Sequence, residues 1–99
     1  MKKADRTSLV VDVIIPALNE EETIGRVLAS LKETGQPLRH VIVIDNGSSD
    51  GTAKEAEAGG AVVLFESERG YGAACLCGLS YIARQKHAPD CVVFLDADG

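Results

Sequence analysis

Four runs rich in β-branched apolar residues recur along this chain, at residues 9–16, 40–45, 61–65 and 91–95, with helical segments between them. Most of these runs lack the alternation of a strand with one wet face, so they read as strands covered on both sides. Asp12 breaks the first run and is expected near a solvent-facing strand start. In the first interval Asn19 followed by Glu22 reads as a capping box, and Ile24, Val27, Leu28 and Leu31 form one apolar stripe that Gly35 and Pro37 end. Asp50 is placed to cap a second helix from about Thr52, which Gly59 and Gly60 stop. A third helix is expected over residues 71–85, with Ala74, Cys77, Gly78 and Tyr81 inward, and the Ala88-Pro89-Asp90 turn leads into the last strand.

The order is β-α-β-α-β-α-β, with residues 1–8 as a tail and 9–99 as one unit. Right-handed crossovers between parallel strands leave few arrangements. The strand order 3-2-1-4 places the first and last strands side by side and opens a crevice beyond their carboxyl ends, where ligands of doubly wound sheets bind. A formal net charge of -5 without a basic stripe gives no reason to expect nucleic acid as a partner. No apolar stretch approaches bilayer length, and Asp5 and Arg6 spoil a signal-peptide reading of the start. The three cysteines, without Cys-x-x-Cys spacing, read as free buried thiols of a reducing cytoplasm.

Polar residues collect at the expected strand ends. Pro16 is expected to stop the first strand, and Asn19-Glu20 follows; a cap explains Asn19, while helix-dipole complementarity competes with function for Glu20. After the second strand, turn chemistry explains the segment from Asn46 to Thr52 but leaves Asp45 without a structural duty; a carboxylate there would accept hydrogen bonds from a base or a ribose. Gly70-x-Gly72 before the third helix would bring backbone N–H groups towards phosphate, although it lacks a third glycine and follows the third strand, which excludes a dinucleotide fingerprint. A P-loop sequence is absent. After the fourth strand, Asp96 and Asp98 flank Ala97. Two carboxylates so close are costly without a cation, and hard oxygen ligands suit Mg²⁺ or Mn²⁺ bridging to a diphosphate. A solvated turn would explain them equally were it not for their position at the crevice.

Taken in order, Pro-Ala-Leu-Asn-Glu, Val-Ile-Asp-Asn-Gly-Ser-Ser-Asp-Gly-Thr, Arg-Gly-Tyr-Gly-Ala-Ala and Phe-Leu-Asp-Ala-Asp closely resemble the family 2 inverting glycosyltransferases, nearest to the dolichyl-phosphate mannose synthase-like branch. The resemblance runs from Val11 to Gly99. It implies a Rossmann-like three-layer α/β/α sandwich, the donor-binding half of a GT-A domain, and a nucleotide-diphosphate sugar as ligand. It further implies that Pro16, Ala17, Leu18, Glu20, Asp45, Asn46, Asp96 and Ala97 form the nucleotide-sugar site, and that Asp98, with Asp96, holds the metal. Many relatives carry a second acid where this chain has Asn46. They also continue into a second half that binds acceptor and supplies the catalytic base, so no catalytic residue is assigned here and the isolated chain is expected to be inactive. A cytoplasmic location follows, with a longer parent at the cytoplasmic face of the membrane.

Two other readings stay open: a nucleotide-binding module without catalysis, and a purely structural one. The apolar last strand would lie at a sheet edge, which predicts a homo-oligomer through edge pairing. A sugar-phosphate nucleotidyltransferase is excluded, because its glycine-rich, arginine-containing loop is missing after the first strand.

Overall fold

Parallel pairing in the order β3-β2-β1-β4 organises the computed structural model, which describes residues 9–98. The expected tail at residues 1–8, and Gly99, lie outside the described residues. The elements are β1 (Val11–Ala17), α1 (Ile24–Glu33), β2 (His40–Asp45), α2 (Thr52–Ala58), β3 (Val62–Phe65), α3 (Tyr71–Ala83) and β4 (Cys91–Phe94). Val13 pairs with Val41 on one side and Val93 on the other, so β1 is the sheet's interior strand next to the edge strand β4.

Alternate residues of the central strands feed two apolar layers. Val11, Val13, Ile15 and Val43 pack with Ile24 and Leu28 of α1 and Ala56 of α2, whereas Ile14, Ile42 and Ile44 pack with Ala74 and Ile82 of α3. Both faces of β1 and β2 are therefore dry, which is why these runs show no polar alternation. The α1 stripe falls as its periodicity requires, with Ile24 and Leu28 buried and Val27 and Leu31 half-buried. On α3 the buried residues are Ala74, Gly78 and Ile82, while Cys77 and Tyr81 are half-buried. Gly78 admits the close approach: a Cβ there would stand 2.9 Å from Ile14 Cδ1.

Four expectations change. Asp12 is fully buried instead of solvent-facing. Its carboxylate accepts hydrogen bonds from Arg39 Nε (3.0 Å) and Nη2 (2.6 Å) and from the His40 backbone N–H (3.1 Å), so a charge is tolerated because it is paired. Burial works to raise the Asp12 pKa, but the Arg39 bonds and charge outweigh it, and the carboxyl lies below its ordinary value. Second, the capping box is absent: Asn19 adopts φ 55° and accepts from the Ser49 N–H at 2.8 Å, and α1 begins only at Ile24, after a turn in which the N–H groups of Thr23 and Ile24 donate to Glu20 O. Third, Pro16 does not end β1, which runs to Ala17. Ile14 O accepts from Leu95 on the β4 side and Ala17 O from Asn46 on the β2 side, so position 16 faces β4 after β4 has stopped pairing. The missing proline N–H removes no ladder bond and leaves an opening between β1 and β4. Fourth, the cysteines are free but not buried: Cys75 and Cys77 are half-buried and Cys91, at the start of the edge strand, is exposed.

The helix-ending signals hold, with Gly35 at φ 75° beyond α1 and Gly59 and Gly60 beyond α2. Asp50 Oδ1 accepts the Thr52 N–H at 3.0 Å at the start of α2, as its position predicts. Among the described residues, no helix is long and apolar enough to cross a membrane.

Candidate functional site

A cleft of about 460 Å³ lies beyond the carboxyl ends of the strands, where β1 and β4 diverge. Pro16, Ala17, Leu18 and Glu20 form one wall, Asn46 lies at the end of β2, and Asp96, Ala97 and Asp98 follow β4. Arg69, Gly70 and Tyr71, at the entry to α3, close the remaining side. Its size and its mixture of apolar floor and few polar groups suit a small ligand.

Hydrogen bonds between elements hold the walls. Thr23 Oγ1 donates to Ala97 O at 2.8 Å, which anchors the segment after β4 to the turn before α1. Ala97 is buried, and its neighbours Asp96 and Asp98 are exposed to the cleft. Among the described hydrogen bonds none reaches either carboxylate, in contrast to Asp12 and Asp50. Thr52 is fully buried; its Oγ1 accepts the Glu20 N–H at 2.9 Å and donates to Asp50 Oδ1. That Thr52 hydroxyl is the leading cause holding the Asp50 carboxyl below the ordinary aspartate value. Glu20 Oε1 lies 3.2 Å from Thr23 Oγ1, whose one proton goes to the nearer Ala97 O, so the Glu20 carboxylate stays available at the rim. The Tyr71 phenol is pushed up, first by the neighbouring Cys75 thiol, with burial and the Asp96 charge adding to the effect.

Of the residues expected at the site, Pro16, Ala17, Leu18, Glu20, Asn46, Asp96, Ala97 and Asp98 meet at this cleft. Asp45 stands at the same end of the sheet, paired with Ala17, but outside the lining; its Oδ1 accepts the Ser48 N–H at 2.9 Å in a turn, a structural duty invisible in the sequence. Arg69 and Tyr71 were not foreseen. Among the described residues Arg69 is the one cation of the lining, and its position directly before Gly70 at a helix start was the available signal. Gly70 has φ 125°, which only glycine adopts without strain, and the chain bends there between Arg69 and Tyr71, both of which line the cleft.

Among the described residues no three His, Cys, Asp or Glu side chains gather as a preformed metal centre. Asp96 and Asp98 alone nevertheless fit a Mg²⁺ or Mn²⁺ ion, which commonly takes one or two protein carboxylates and completes its shell with phosphate and water.

Comparison with known proteins agrees with the fold. The chain is 36% identical over 88 residues to an uncharacterized protein of Methanocaldococcus jannaschii, an alignment covering 88% of this chain and 35% of that protein. It is 48% identical over 63 residues to glucosyl-3-phosphoglycerate synthase of Mycolicibacterium smegmatis, covering 63% of this chain and 20% of the synthase. The crystal structure of M. tuberculosis glucosyl-3-phosphoglycerate synthase superposes with a TM-score of 0.79 at 32% identity, over 97% of this chain and 37% of that one. The same synthase has been crystallised with Mn²⁺, UDP and phosphoglyceric acid (TM-score 0.77), and with Mg²⁺ and UDP. This chain thus spans roughly a third of the length of such relatives. The family model for Glycosyl transferase family 2 matches residues 12–99, and the chain belongs to that family.

Proposed function

We propose that this chain is the donor-binding half of an inverting glycosyltransferase that moves a sugar from a nucleoside diphosphate to an acceptor hydroxyl. The observation that carries the reading is the pair Asp96 and Asp98, whose carboxylates find no protein partner among the described residues yet line one cleft with Glu20 and Arg69. Pro16, Ala17 and Leu18 offer an apolar platform for the base, and Asp45, at the neighbouring strand end, an acceptor for base or ribose. Arg69 offers positive charge to an anionic donor. Asp98, with Asp96, would hold a Mg²⁺ or Mn²⁺ ion, which neutralises charge on the leaving diphosphate. The synthase crystallised with UDP-glucose and Mn²⁺ supports this donor class.

The wider reading places the chain near the dolichyl-phosphate mannose synthase-like branch, in the cytoplasm, with acceptor binding and the catalytic base supplied outside residues 9–99. Titrating UDP and GDP by calorimetry, with and without Mn²⁺, tests the donor site. Saturable binding that needs the metal is expected; no binding of either nucleotide at millimolar concentration would sink the proposal. A transfer assay with the 99-residue chain should detect no turnover, and robust turnover would refute the division of labour. Self-association has its own observation, since Phe94 on the edge strand β4 is 42% exposed. Light scattering at high concentration is expected to give a mass above the monomer, and a monomeric mass would overturn it.

A further inference from the structure

Asn46 sits where the cleft, β2 and the entry to α3 meet, and we propose that it is a positioning residue. In this reading its side-chain amide clamps the Glu66-to-Gly70 segment and so holds Arg69 against the cleft, without bonding the donor itself. The role of Arg69 rests on the cleft being a nucleoside-diphosphate site; the clamp does not.

The amide is almost fully committed. Asn46 is 6% exposed. Its Nδ2 donates to Glu66 O at 2.9 Å and to Glu68 O at 2.8 Å, and its Oδ1 accepts the Gly70 N–H at 2.9 Å. Only an amide, with two donors and an acceptor on one planar group, satisfies all three partners. Both donors are spent, so the side chain has no N–H to offer a base or a phosphate. Its own backbone N–H is spent as well, on Ala17 O at 2.9 Å. The clamped segment has few other ties: Glu66 N–H to Asp45 O at 3.0 Å, Glu68 N–H to Glu66 Oε2 at 2.9 Å, Gly70 O accepting the Ala74 N–H at 3.1 Å, and a long 3.5 Å approach of Arg69 Nη2 to Gly47 O. The exposed Arg69 side chain is thus placed by the backbone beneath it, and Asn46 holds that backbone. An aspartate at this position would keep the Gly70 bond but turn negative charge towards two carbonyl oxygens, both left without a donor. The amide is therefore not an idle replacement for an acid.

The test uses the 99-residue chain with the substitutions Asn46→Asp, Asn46→Ala and Arg69→Ala. Amide hydrogen exchange without ligand reads the clamp. In N46D the hydrogen-bonded amides of Glu66, Glu68 and Gly70 should exchange at least about tenfold faster, equivalent to roughly 1.4 kcal/mol, while those of Ile14, Ile42 and Ile44 stay protected. Unchanged exchange of Glu66, Glu68 and Gly70 overturns the clamp. Calorimetric titration with UDP and Mn²⁺ reads the positioning. N46D should weaken UDP by about tenfold or more beside Arg69, and by no more than about twofold in the Arg69→Ala background. Equal losses in the two backgrounds would make Asn46 a direct ligand contact and overturn the positioning role. If N46D does not fold, N46A, which removes the three bonds without adding charge, carries both measurements. Failure of the unsubstituted chain to bind UDP sinks the donor reading and the Arg69 role with it, whereas exchange alone still decides the clamp.

Discussion

Gly78→Ala should destabilise the protein even though alanine is the better helix former. Gly78 is buried in α3 over β1, and a Cβ built there stands 2.9 Å from Ile14 Cδ1 and 3.0 Å from both Ile14 Cγ1 and Cγ2. Carbon pairs prefer about 3.5–4.0 Å, so the helix must lift or Ile14 must shift by about half an ångström or more. Ile14 is fully buried, and its two γ carbons fill two of the three staggered positions on Cβ, so every χ1 rotamer leaves a γ carbon against the new methyl group. Overpacking of this kind costs about 1–3 kcal/mol. Replacing a helix-interior glycine by alanine returns about 0.8–1.0 kcal/mol. The net expectation is a loss near 1 kcal/mol, or about 4–8 °C in Tm for a domain of this size. Urea denaturation followed by circular dichroism measures it. The cause is isolated by a double-mutant cycle with Ile14→Ala, which alone should cost about 2–5 kcal/mol and should cost at least 1 kcal/mol less beside Ala at position 78. Gly72, in the same helix with nothing within 4 Å of its built Cβ, is the control: Gly72→Ala should be neutral or stabilising. A more stable Gly78→Ala protein, or additivity with Ile14→Ala, would refute the argument that this glycine sets the distance between α3 and the sheet.

Asp98→Ala should weaken Mn²⁺-dependent UDP binding by about tenfold or more, a step of at least 1.4 kcal/mol, and leave metal-free uridine binding unchanged; equal affinity in calorimetry would remove the carboxylate from the metal site. Thr52→Val should cost about 1–3 kcal/mol, because the Glu20 N–H loses its acceptor and the Asp50 carboxylate a donor at a buried position; urea unfolding within 0.5 kcal/mol of the unsubstituted chain would show that water replaces the hydroxyl. Asp12→Asn should destabilise in a pH-dependent way. The folded-state pKa of Asp12 is lowered, so its contribution is complete above the unfolded value of about 3.9 and is lost as pH falls through the folded value. The stability gap between the two proteins should therefore narrow from pH 6 towards about pH 2 in denaturant titrations, and a gap independent of pH would deny the Arg39 pairing its electrostatic role.

Apolar periodicity made the fold legible, because β1 and β2 are buried on both faces and so carry runs that no other architecture of this length explains. The strand order followed from handedness and from helices long enough to cross. What periodicity does not encode is where a side chain's lone pairs go. Asp12 looked like a strand start at the surface, since the partner that makes its burial tolerable, Arg39, stands 27 residues away. Asn19 looked like a cap, yet its oxygen serves Ser49, again across the fold. Pro16 looked like a terminator, and only the early end of β4 shows why a proline is harmless inside β1. Each of these three errors concerns a polar or imino group whose surroundings are set by chain distant in sequence.

That same accounting separates the acids of this chain by task. Asp12 spends both carboxylate oxygens on Arg39 and His40, and Asp50 spends its own on Thr52 and Glu21. Asp45 gives one oxygen to Ser48. For Asp96 and Asp98 no such partner exists among the described residues, although the buried Ala97 between them is pinned through its carbonyl to Thr23. A backbone anchored at Ala97 and carrying two unspent carboxylates is poorly explained as a solvated turn, which would need no such anchor. It is well explained as a preorganised half-shell for a cation, since the cost of holding the charges together is met by the fold and recovered when the ion binds. Thr23→Val should therefore weaken Mn²⁺-dependent UDP binding without touching either acid, by releasing Ala97 and with it the spacing of Asp96 and Asp98. A Thr23→Val protein of unchanged stability and unchanged affinity would show that the anchor is incidental.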